Sequence, residues 1–182
     1  IALVEPSEMF YSLEVNTAER ESKTDLSLYH SVFTEAAGAI VAKQRPDTII
    51  YVNVLEHIED DENELKAVFD TLADGGHGLI FVPAWMSLYG EFDRKVGHFR
   101  RYSKKELEEK CRAAGFNIVR SFFFDIAGVL LWYMKYRVLN SDGLGSQAVT
   151  AYDNLVVPIM RRIEPITGVP VGKNLLAIIR TA

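Results

Sequence analysis

Hydrophobic runs and polar breaks divide this chain into strand-like and helix-like stretches, and the sharpest run is Thr48–Val52. These five β-branched, aliphatic and aromatic residues carry no charge, which predicts a strand buried on both faces in the middle of a parallel sheet. Polar residues follow at once, namely Asn53, Glu56 and His57. Because open α/β sheets bind ligands beyond the carboxyl ends of their strands, the sequence predicts a ligand site there.

Capping signals and apolar stripes mark two helices. Asp61 and Glu64 make a capping-box-like start for a helix over 61–73, which an Asp-Gly-Gly turn ends. Ser103 and Glu106 form a second capping box. The order strand, helix, strand in the middle of the chain predicts a βαβ unit with a right-handed crossover. The other predicted elements are strands at 1–4, 26–33, 79–82, 117–124 and 174–180, and helices at 7–15, 36–43 and 103–114.

Two regions follow neither the helix period nor the strand period. Residues 85–102 predict a long loop, and loops of this length in a compact domain usually cover or bind a ligand. Residues 126–172 are apolar but interrupted by turn residues, which predicts an inserted helical lobe with helices at 129–139 and 152–163. The strands on either side of this lobe predict an antiparallel pair beside an otherwise mostly parallel sheet. The predicted fold is therefore a doubly wound, Rossmann-like α/β domain.

Composition narrows the class of protein. A chain of 182 residues with 48% apolar residues suits one domain with one core. A formal charge of -5 argues against a nucleic-acid partner, which needs a basic face. No apolar run reaches the roughly 18 to 20 residues that span a bilayer, so no integral membrane segment is predicted, and peripheral contact stays open. The single cysteine, Cys111, fits a reducing compartment, so the predicted location is the cytoplasm.

Two stretches of this sequence resemble the class I S-adenosylmethionine-dependent methyltransferases, particularly the small-molecule group called type 11 or 12. The first is DTIIYVNVLEHIEDD, followed by a helix, a Gly-Gly turn and LIFVPA. The second is LYGEFDRKVGHFRRYSKKELEEKCRAAGF, where family members carry a loop and a helix after the sheet. The resemblance covers most of residues 1–124. It implies a Rossmann-like fold, S-adenosylmethionine as cofactor and methyl transfer as the reaction.

The resemblance also implies a cofactor site. Glu5 matches the acidic strand end that holds the ribose diol, although a turn carboxylate is the alternative for this residue. Residues 34–35 match the end of the next strand, which flanks the adenine, and residues 53–55 line the methionine portion. The implied cofactor-binding residues are Glu5, Thr34, Glu35, Asn53, Val54 and Leu55.

One family feature is absent from this chain. The family's first strand and glycine-rich loop should precede Ile1, and no G-x-G-x-x-G occurs in the sequence. We expect the native protein to carry that segment upstream, because a parallel sheet without a central strand leaves backbone groups unpaired. The alternative is a non-catalytic, methyltransferase-like binding module or partner subunit. No metal site is predicted, since no His/Asp cluster has ligand spacing along the chain.

Methyl transfer to a hydroxyl acceptor needs a group that takes the hydroxyl proton. His98, His57 and Tyr89 are the candidate catalytic residues, and His98 is preferred because it lies in the loop predicted to cover the acceptor. A purely structural loop histidine is the alternative. The predicted acceptor is a small molecule, with a lipid- or sugar-linked acceptor also open and the oligomeric state undetermined.

The same loop supplies the predicted acceptor-binding groups. Arg100 and Arg101 can clamp a phosphate or carboxylate, or can pair with acidic residues such as Glu91 and Asp93. An aromatic-rich stretch at 122–136 is expected to be core, and as a lipid slot it would suit a lipid-linked phosphate beside the arginines. The predicted substrate-binding residues are Trp85, Tyr89, His98, Arg100, Arg101 and Tyr102.

Overall fold

The computed structural model describes residues 1–18, 25–133, 154, 158–160, 162 and 170–182. Within these ranges the strands are β1 (Ala2–Val4), β2 (Ser27–Tyr29), β3 (Thr48–Val52), β4 (His77–Pro83), β5 (Asn117–Phe124) and β6 (Asn174–Arg180). The α-helices are α1 (Met9–Ala18), α2 (Phe33–Lys43), α3 (Asp61–Thr71), α4 (Glu91–Lys95), α5 (Lys104–Ala113) and α6 (Ile126–Tyr133). Single 3₁₀ turns span Leu55–His57 and Met86–Leu88.

The sheet that carries the predicted site has the strand order β3-β4-β6-β5. β3 and β4 run parallel, with Ile50 opposite Leu79, whereas β6 is antiparallel to both β4 and β5. β1 and β2 form a separate parallel pair, with Leu3 opposite Leu28. This topology confirms the predicted Rossmann-like α/β fold with its antiparallel C-terminal pair. Within this pair, β6 lies next to β4 and β5 forms the edge of the sheet.

The core lies on one side of the four-stranded sheet, under α3 and α5. The apolar stripe predicted for α3 is buried there, since Leu65, Val68 and Leu72 all pack into the core. From α5, Leu107 and Cys111 complete the contact. Burial raises the pKa of the Cys111 thiol to about 12, so this cysteine behaves as a small apolar residue.

The prediction that β3 is buried on both faces is wrong for the structure as described. Ile49 and Tyr51 are buried under α3, whereas Ile50 and Val52 are 63% and 57% exposed. Alternate residues of a strand point to opposite faces, so a strand covered on one side buries only every second residue. An uncharged run by itself does not reveal how many faces are covered.

The second strand is shorter than predicted, and the helix after it starts earlier. β2 ends at Tyr29 instead of residue 33, and α2 begins at Phe33. Thr34 and Glu35 therefore lie in the first turn of a helix and not at a strand end. The cause is the burial of Ala36 and Ile40, which stand four residues apart and set a helical face against the rest of the domain.

α3 is capped one residue earlier than predicted. The Oδ1 atom of Asp60 accepts a hydrogen bond from the backbone amide of Asn63 at 3.1 Å, so Asp60 is the N-cap. Asp61 and Glu64, predicted as the capping pair, are instead both buried. A left-handed Gly75, with φ of 71°, lies in the turn between α3 and β4, as the Asp-Gly-Gly signal predicts.

The loop predicted at 85–102 contains the short helix α4 and the turn Met86–Leu88. Its two ends are tied together, because the amide of Trp85 donates to the Tyr102 carbonyl and the amide of Tyr102 donates to the Pro83 carbonyl, each at 3.0 Å. Residues 85–102 thus form an ordered loop that leaves the end of β4 and returns to it.

Of the predicted helical lobe, the structure describes α6 and a few isolated positions, and the remainder of 126–172 lies outside the described residues. No helix within the described ranges combines the length and the apolar composition needed to cross a bilayer.

Candidate functional site

The chain changes direction sharply at the end of β3, and this turn determines where Asn53, Glu56 and His57 lie. Asn53 adopts a left-handed conformation with φ of 52°, which asparagine tolerates better than most residues. Its amide still donates to the Phe81 carbonyl at 2.9 Å, so the chain leaves the sheet directly afterwards. The 3₁₀ turn Leu55–His57 then points Leu55 and Glu56 into the protein and His57 towards solvent.

The three strand-end residues predicted to line the cofactor are divided by this turn. Asn53 and Val54 are exposed at the edge of the sheet, whereas the side chain of Leu55 is fully buried in the core. The Leu55 carbonyl lies 3.2 Å from the Tyr102 hydroxyl. Leu55 therefore cannot offer its side chain to a ligand at this edge, because the turn has rotated it inward.

Glu56 was named among the polar residues at the end of the strand, but the sequence assigned it no catalytic or binding role. It is 0% exposed, and neither carboxylate oxygen has a hydrogen-bond partner within the described structure. Burial raises the pKa of Glu56 to about 7, against opposing effects of its own backbone amide and of Arg101. A buried carboxylate in this state is costly to the fold. Its place directly after a buried strand was the available signal.

His98, which lies in the loop formed by residues 85–102, comes close to Glu56. Its side chain is 10% exposed, and its Nε2 atom lies 3.9 Å from Glu56 Oε1. The His57 ring meets the His98 ring edge to face, with centroids 4.6 Å apart. Burial and the neighbouring His98 lower the pKa of His57, partly offset by a hydrogen bond with the backbone of Gly97. The structure thus places the side chains of His57 and His98, two of the predicted catalytic residues, in contact with each other.

Asp93 holds His98 in this orientation. The Nδ1 atom of His98 lies 2.8 Å from Asp93 Oδ1, and the amide of Gly90 donates to the other carboxylate oxygen at 2.9 Å. A left-handed Gly97, with φ of 80°, reverses the chain after α4 so that His98 faces back towards Asp93. Because Asp93 accepts the Nδ1 proton, a neutral His98 carries its lone pair on Nε2, facing Glu56.

The two predicted anion-binding arginines are engaged inside the protein. The Nε atom of Arg101 donates to Asp93 Oδ1 at 2.8 Å, and Arg101 is buried. Arg100 pairs with Asp61 at 2.9 Å and donates to the Glu59 carbonyl at 2.6 Å. Arg101 thus pairs with Asp93, one of the acidic partners that the sequence left open as the alternative, whereas Asp61, the partner of Arg100, was not among them.

The predicted aromatic contacts also have structural partners. Tyr102 is fully buried, and its hydroxyl donates to Asp61 Oδ2 at 2.7 Å, so its side chain does not face an open site. Trp85 stacks on Phe123 with ring centroids 5.1 Å apart. Tyr89, predicted as a catalytic residue, donates its hydroxyl to the His98 carbonyl at 2.7 Å. That hydrogen bond holds the backbone of His98 in place.

The residues predicted to bind the nucleoside lie on the β1–β2 pair and α2. Glu5 follows β1, and its Oε1 atom accepts hydrogen bonds from the Ser7 amide at 2.8 Å and the Ser7 hydroxyl at 2.5 Å. This is the turn-carboxylate arrangement named as the alternative, although Oε2 has no hydrogen bond to any described residue. Thr34 and Glu35 are exposed in the first turn of α2.

Comparison with known proteins adds independent information. Residues 2–121 match the protein family described as Methyltransferase domain. No protein of curated function matches the sequence.

Solved methyltransferase structures share this fold at low sequence identity. An S-adenosylmethionine-dependent methyltransferase from Archaeoglobus fulgidus is 14% identical over 99% of this chain and 75% of that chain, with a TM-score of 0.56. One from Mesorhizobium loti is 14% identical over 98% and 79%, with a TM-score of 0.58. An N-methyltransferase from Bradyrhizobium japonicum, in complex with S-adenosylhomocysteine, is 13% identical over 99% and 65%, with a TM-score of 0.51. At these identities the likeness establishes the fold.

Proposed function

The chain belongs to the methyltransferase domain family, and we propose that it transfers a methyl group from S-adenosylmethionine to a hydroxyl group of a small-molecule acceptor. Family membership confirms the predicted enzyme class, and the S-adenosylmethionine-dependent methyltransferases that share the fold support the predicted methyl donor. The observation that carries the proposal for the acceptor is the pair of His98 and Asp93 at the carboxyl end of β3, where His98 presents Nε2 beside the exposed His57.

The residues at the strand end fit the needs of this reaction. S-adenosylmethionine supplies an electrophilic methyl group, and the protein aligns the acceptor and removes its proton. As the bond between the acceptor oxygen and the methyl carbon forms and the sulfur–carbon bond breaks, His98 takes the hydroxyl proton at Nε2. Asp93 keeps His98 in the receptive tautomer through its bond to Nδ1.

For the cofactor we propose contacts from two places in the fold. Asn53 and Val54 are exposed at the end of β3 and fit the methionine portion, with Leu55 restricted to its backbone. Glu5 has one carboxylate oxygen bound to Ser7 and the other available for a ribose hydroxyl.

A phosphate-bearing acceptor has less support than an uncharged hydroxyl compound. Arg101 is buried against Asp93, and Arg100 is paired with Asp61, so both predicted phosphate ligands already have internal partners. Binding a phosphate would require one of these pairs to break. Binding of an uncharged hydroxyl compound would not require either pair to break.

The proposal is tested in the full-length protein in two steps. Calorimetric titration should show binding of S-adenosylhomocysteine that weakens in Glu5→Ala and not in the exposed neighbour control Glu8→Ala. A screen of hydroxyl compounds with labelled S-adenosylmethionine should then find turnover.

His98→Gln should reduce that turnover by about 100- to 10,000-fold, the usual effect of a general base, without changing S-adenosylhomocysteine affinity. Absence of cofactor binding in the parent protein would falsify the proposed function. Unchanged turnover in His98→Gln would remove His98 from the reaction and leave the enzyme class intact.

A further inference from the structure

We infer that Glu56, His57 and His98 bind a divalent transition-metal ion at the carboxyl end of β3, which deepens the proposed function and rests on it for its catalytic role. Each residue offers one ligand atom, and the three atoms lie within 4.8 Å of one another. The sequence did not predict this cluster, because His98 lies in a different segment of the chain from Glu56 and His57.

The spacing of these atoms is close to that of a metal site. Glu56 Oε1 and His98 Nε2 are 3.9 Å apart. Tetrahedral zinc with bonds of about 2.0 to 2.1 Å separates its ligand atoms by about 3.3 Å. Glu56 Oε1 and His98 Nε2 therefore need to approach each other by about 0.6 Å, and the side chain of His57 is exposed and has room to rotate.

Glu56 provides an independent reason to expect a cation. It is fully buried, directed at His98, and both of its oxygens lack hydrogen bonds within the described structure. Buried charges in proteins are normally paired or coordinate metals. A bound divalent cation would supply the missing partner for this carboxylate.

The surroundings of His98 match those of a metal ligand. Its Nδ1 atom is bonded to Asp93 Oδ1, and Arg101 donates to the same oxygen, so the ring is fixed with Nε2 towards Glu56. A carboxylate behind a histidine is the usual outer partner of a metal-binding imidazole. The outer partner Asp93 is itself buried and held by the Gly90 amide.

The ligand set indicates the class of metal and leaves room for an acceptor. Two imidazoles and one carboxylate suit zinc, manganese, iron or cobalt, whereas magnesium and calcium prefer oxygen ligands. Catalytic zinc sites with three protein ligands keep a fourth position open. Here the exposed His57 side of the cluster faces solvent, so an acceptor hydroxyl can occupy that position.

In the metal-bound enzyme the metal replaces His98 as the group that activates the acceptor. The cation lowers the pKa of the hydroxyl bound to it, whose proton leaves to solvent. The oxygen then forms its bond to the methyl carbon as the sulfur–carbon bond breaks. His98 acts as a ligand in this form, and Asp93 remains its positioning residue.

Cobalt is a suitable probe because its visible absorption reports imidazole and carboxylate coordination. After chelator treatment, the full-length protein should bind one Co²⁺ per chain. Asp93→Asn should weaken binding by about 10- to 100-fold, the usual effect of an outer partner, and Glu56→Gln and His57→Gln should weaken it further. The matched controls Glu59→Gln and His77→Gln, both exposed, should bind as the parent does.

Thermal unfolding of each variant separates loss of the site from loss of the fold. Glu56→Gln keeps the side-chain shape and removes a buried charge, so it should remain folded. Absence of stoichiometric Co²⁺ binding overturns the site. Equal weakening of binding in the two controls also overturns it and indicates an adventitious ion only.

Two further readouts distinguish this inference from the proposed function. S-adenosylhomocysteine affinity, measured in metal-free samples, tests the cofactor site alone. Methyl transfer that persists fully after chelation overturns the catalytic role of the metal and leaves His98 as the base. Transfer that is lost on chelation and restored by Zn²⁺, Mn²⁺ or Co²⁺ supports it.

Discussion

Two buried carboxylates, Asp61 and Glu56, lie on the same side of the sheet and have opposite surroundings. Asp61 accepts from Lys110 and pairs with Arg100 on Oδ1, at 2.7 and 2.9 Å, and accepts from the Tyr102 hydroxyl on Oδ2 at 2.7 Å. Glu56 has no such bonds within the described structure. The comparison teaches that burial alone does not identify a functional carboxylate, because a satisfied one holds elements together and an unsatisfied one is available to a ligand.

The largest effect on stability is expected at Asp61. Asp61→Asn should lower the free energy of unfolding by about 3 kcal/mol, because breaking a buried pair leaves its cationic partners uncompensated. Urea unfolding monitored by circular dichroism measures this. Glu62→Gln, which alters the exposed partner of the same Lys110, serves as control and should cost much less. Equal costs would mean that burial of Asp61 does not matter.

The next largest effect is expected at Tyr51, whose hydroxyl donates to the buried Glu64 at 2.5 Å. Tyr51→Phe should cost about 1 to 3 kcal/mol at neutral pH, since Glu64 loses its hydrogen bond.

This deficit should depend on pH with a defined sign. Burial raises the pKa of Glu64, and the Tyr51 hydrogen bond opposes that rise. A carboxyl group with a raised folded-state pKa destabilises the protein fully above that pKa, and this cost declines as the pH falls and is gone below the unfolded-state pKa. The Tyr51→Phe deficit should therefore shrink on acidification. A deficit that grows at low pH would contradict this account.

A smaller effect of opposite sign is expected at Glu56. In metal-free protein, Glu56→Gln should raise the free energy of unfolding by about 1 kcal/mol, because the charge of a buried carboxylate that accepts no hydrogen bond within the described structure is removed. Turnover should fall in the same variant. A variant that is more stable but inactive would show that Glu56 serves function, whereas Asp61 serves stability. A destabilised variant would show that Glu56 is structural.

The smallest effect is expected for an exposed carboxylate. Asp70 pairs with Lys66 on the surface of α3, and both side chains are more than half exposed. Asp70→Asn should change the free energy of unfolding by less than about 0.5 kcal/mol. A larger change in the same urea experiment would indicate that charge on α3, rather than burial, governs the series.

Local pattern predicted much of the fold. The bounds of β3, β5 and β6 were predicted to the residue, because each of these apolar-rich runs is bounded by polar residues. The capping box at Ser103 and Glu106 was also confirmed. Strand bounds and helix caps depend on neighbouring residues only, so they can be predicted without knowledge of the tertiary fold.

Local pattern did not indicate which side chains are buried by distant segments. Tyr102 and Arg101 were predicted as substrate contacts because aromatic and basic residues in long loops often bind ligands, yet both are buried. Leu55 was predicted to line the cofactor, and its side chain lies in the core. The predicted cytoplasmic location and the inserted lobe stay predictions.

By itself, the sequence determined the βαβ order, the caps and the polar strand end after Val52, since each is set by local spacing and conformational preference. The family followed from the motifs at that strand end. Only the tertiary structure decided that Glu56, His57 and His98 meet, because the path of the loop is set by the bonds of Asp93 to Arg101 and His98. Those bonds join side chains whose proximity no local spacing encodes.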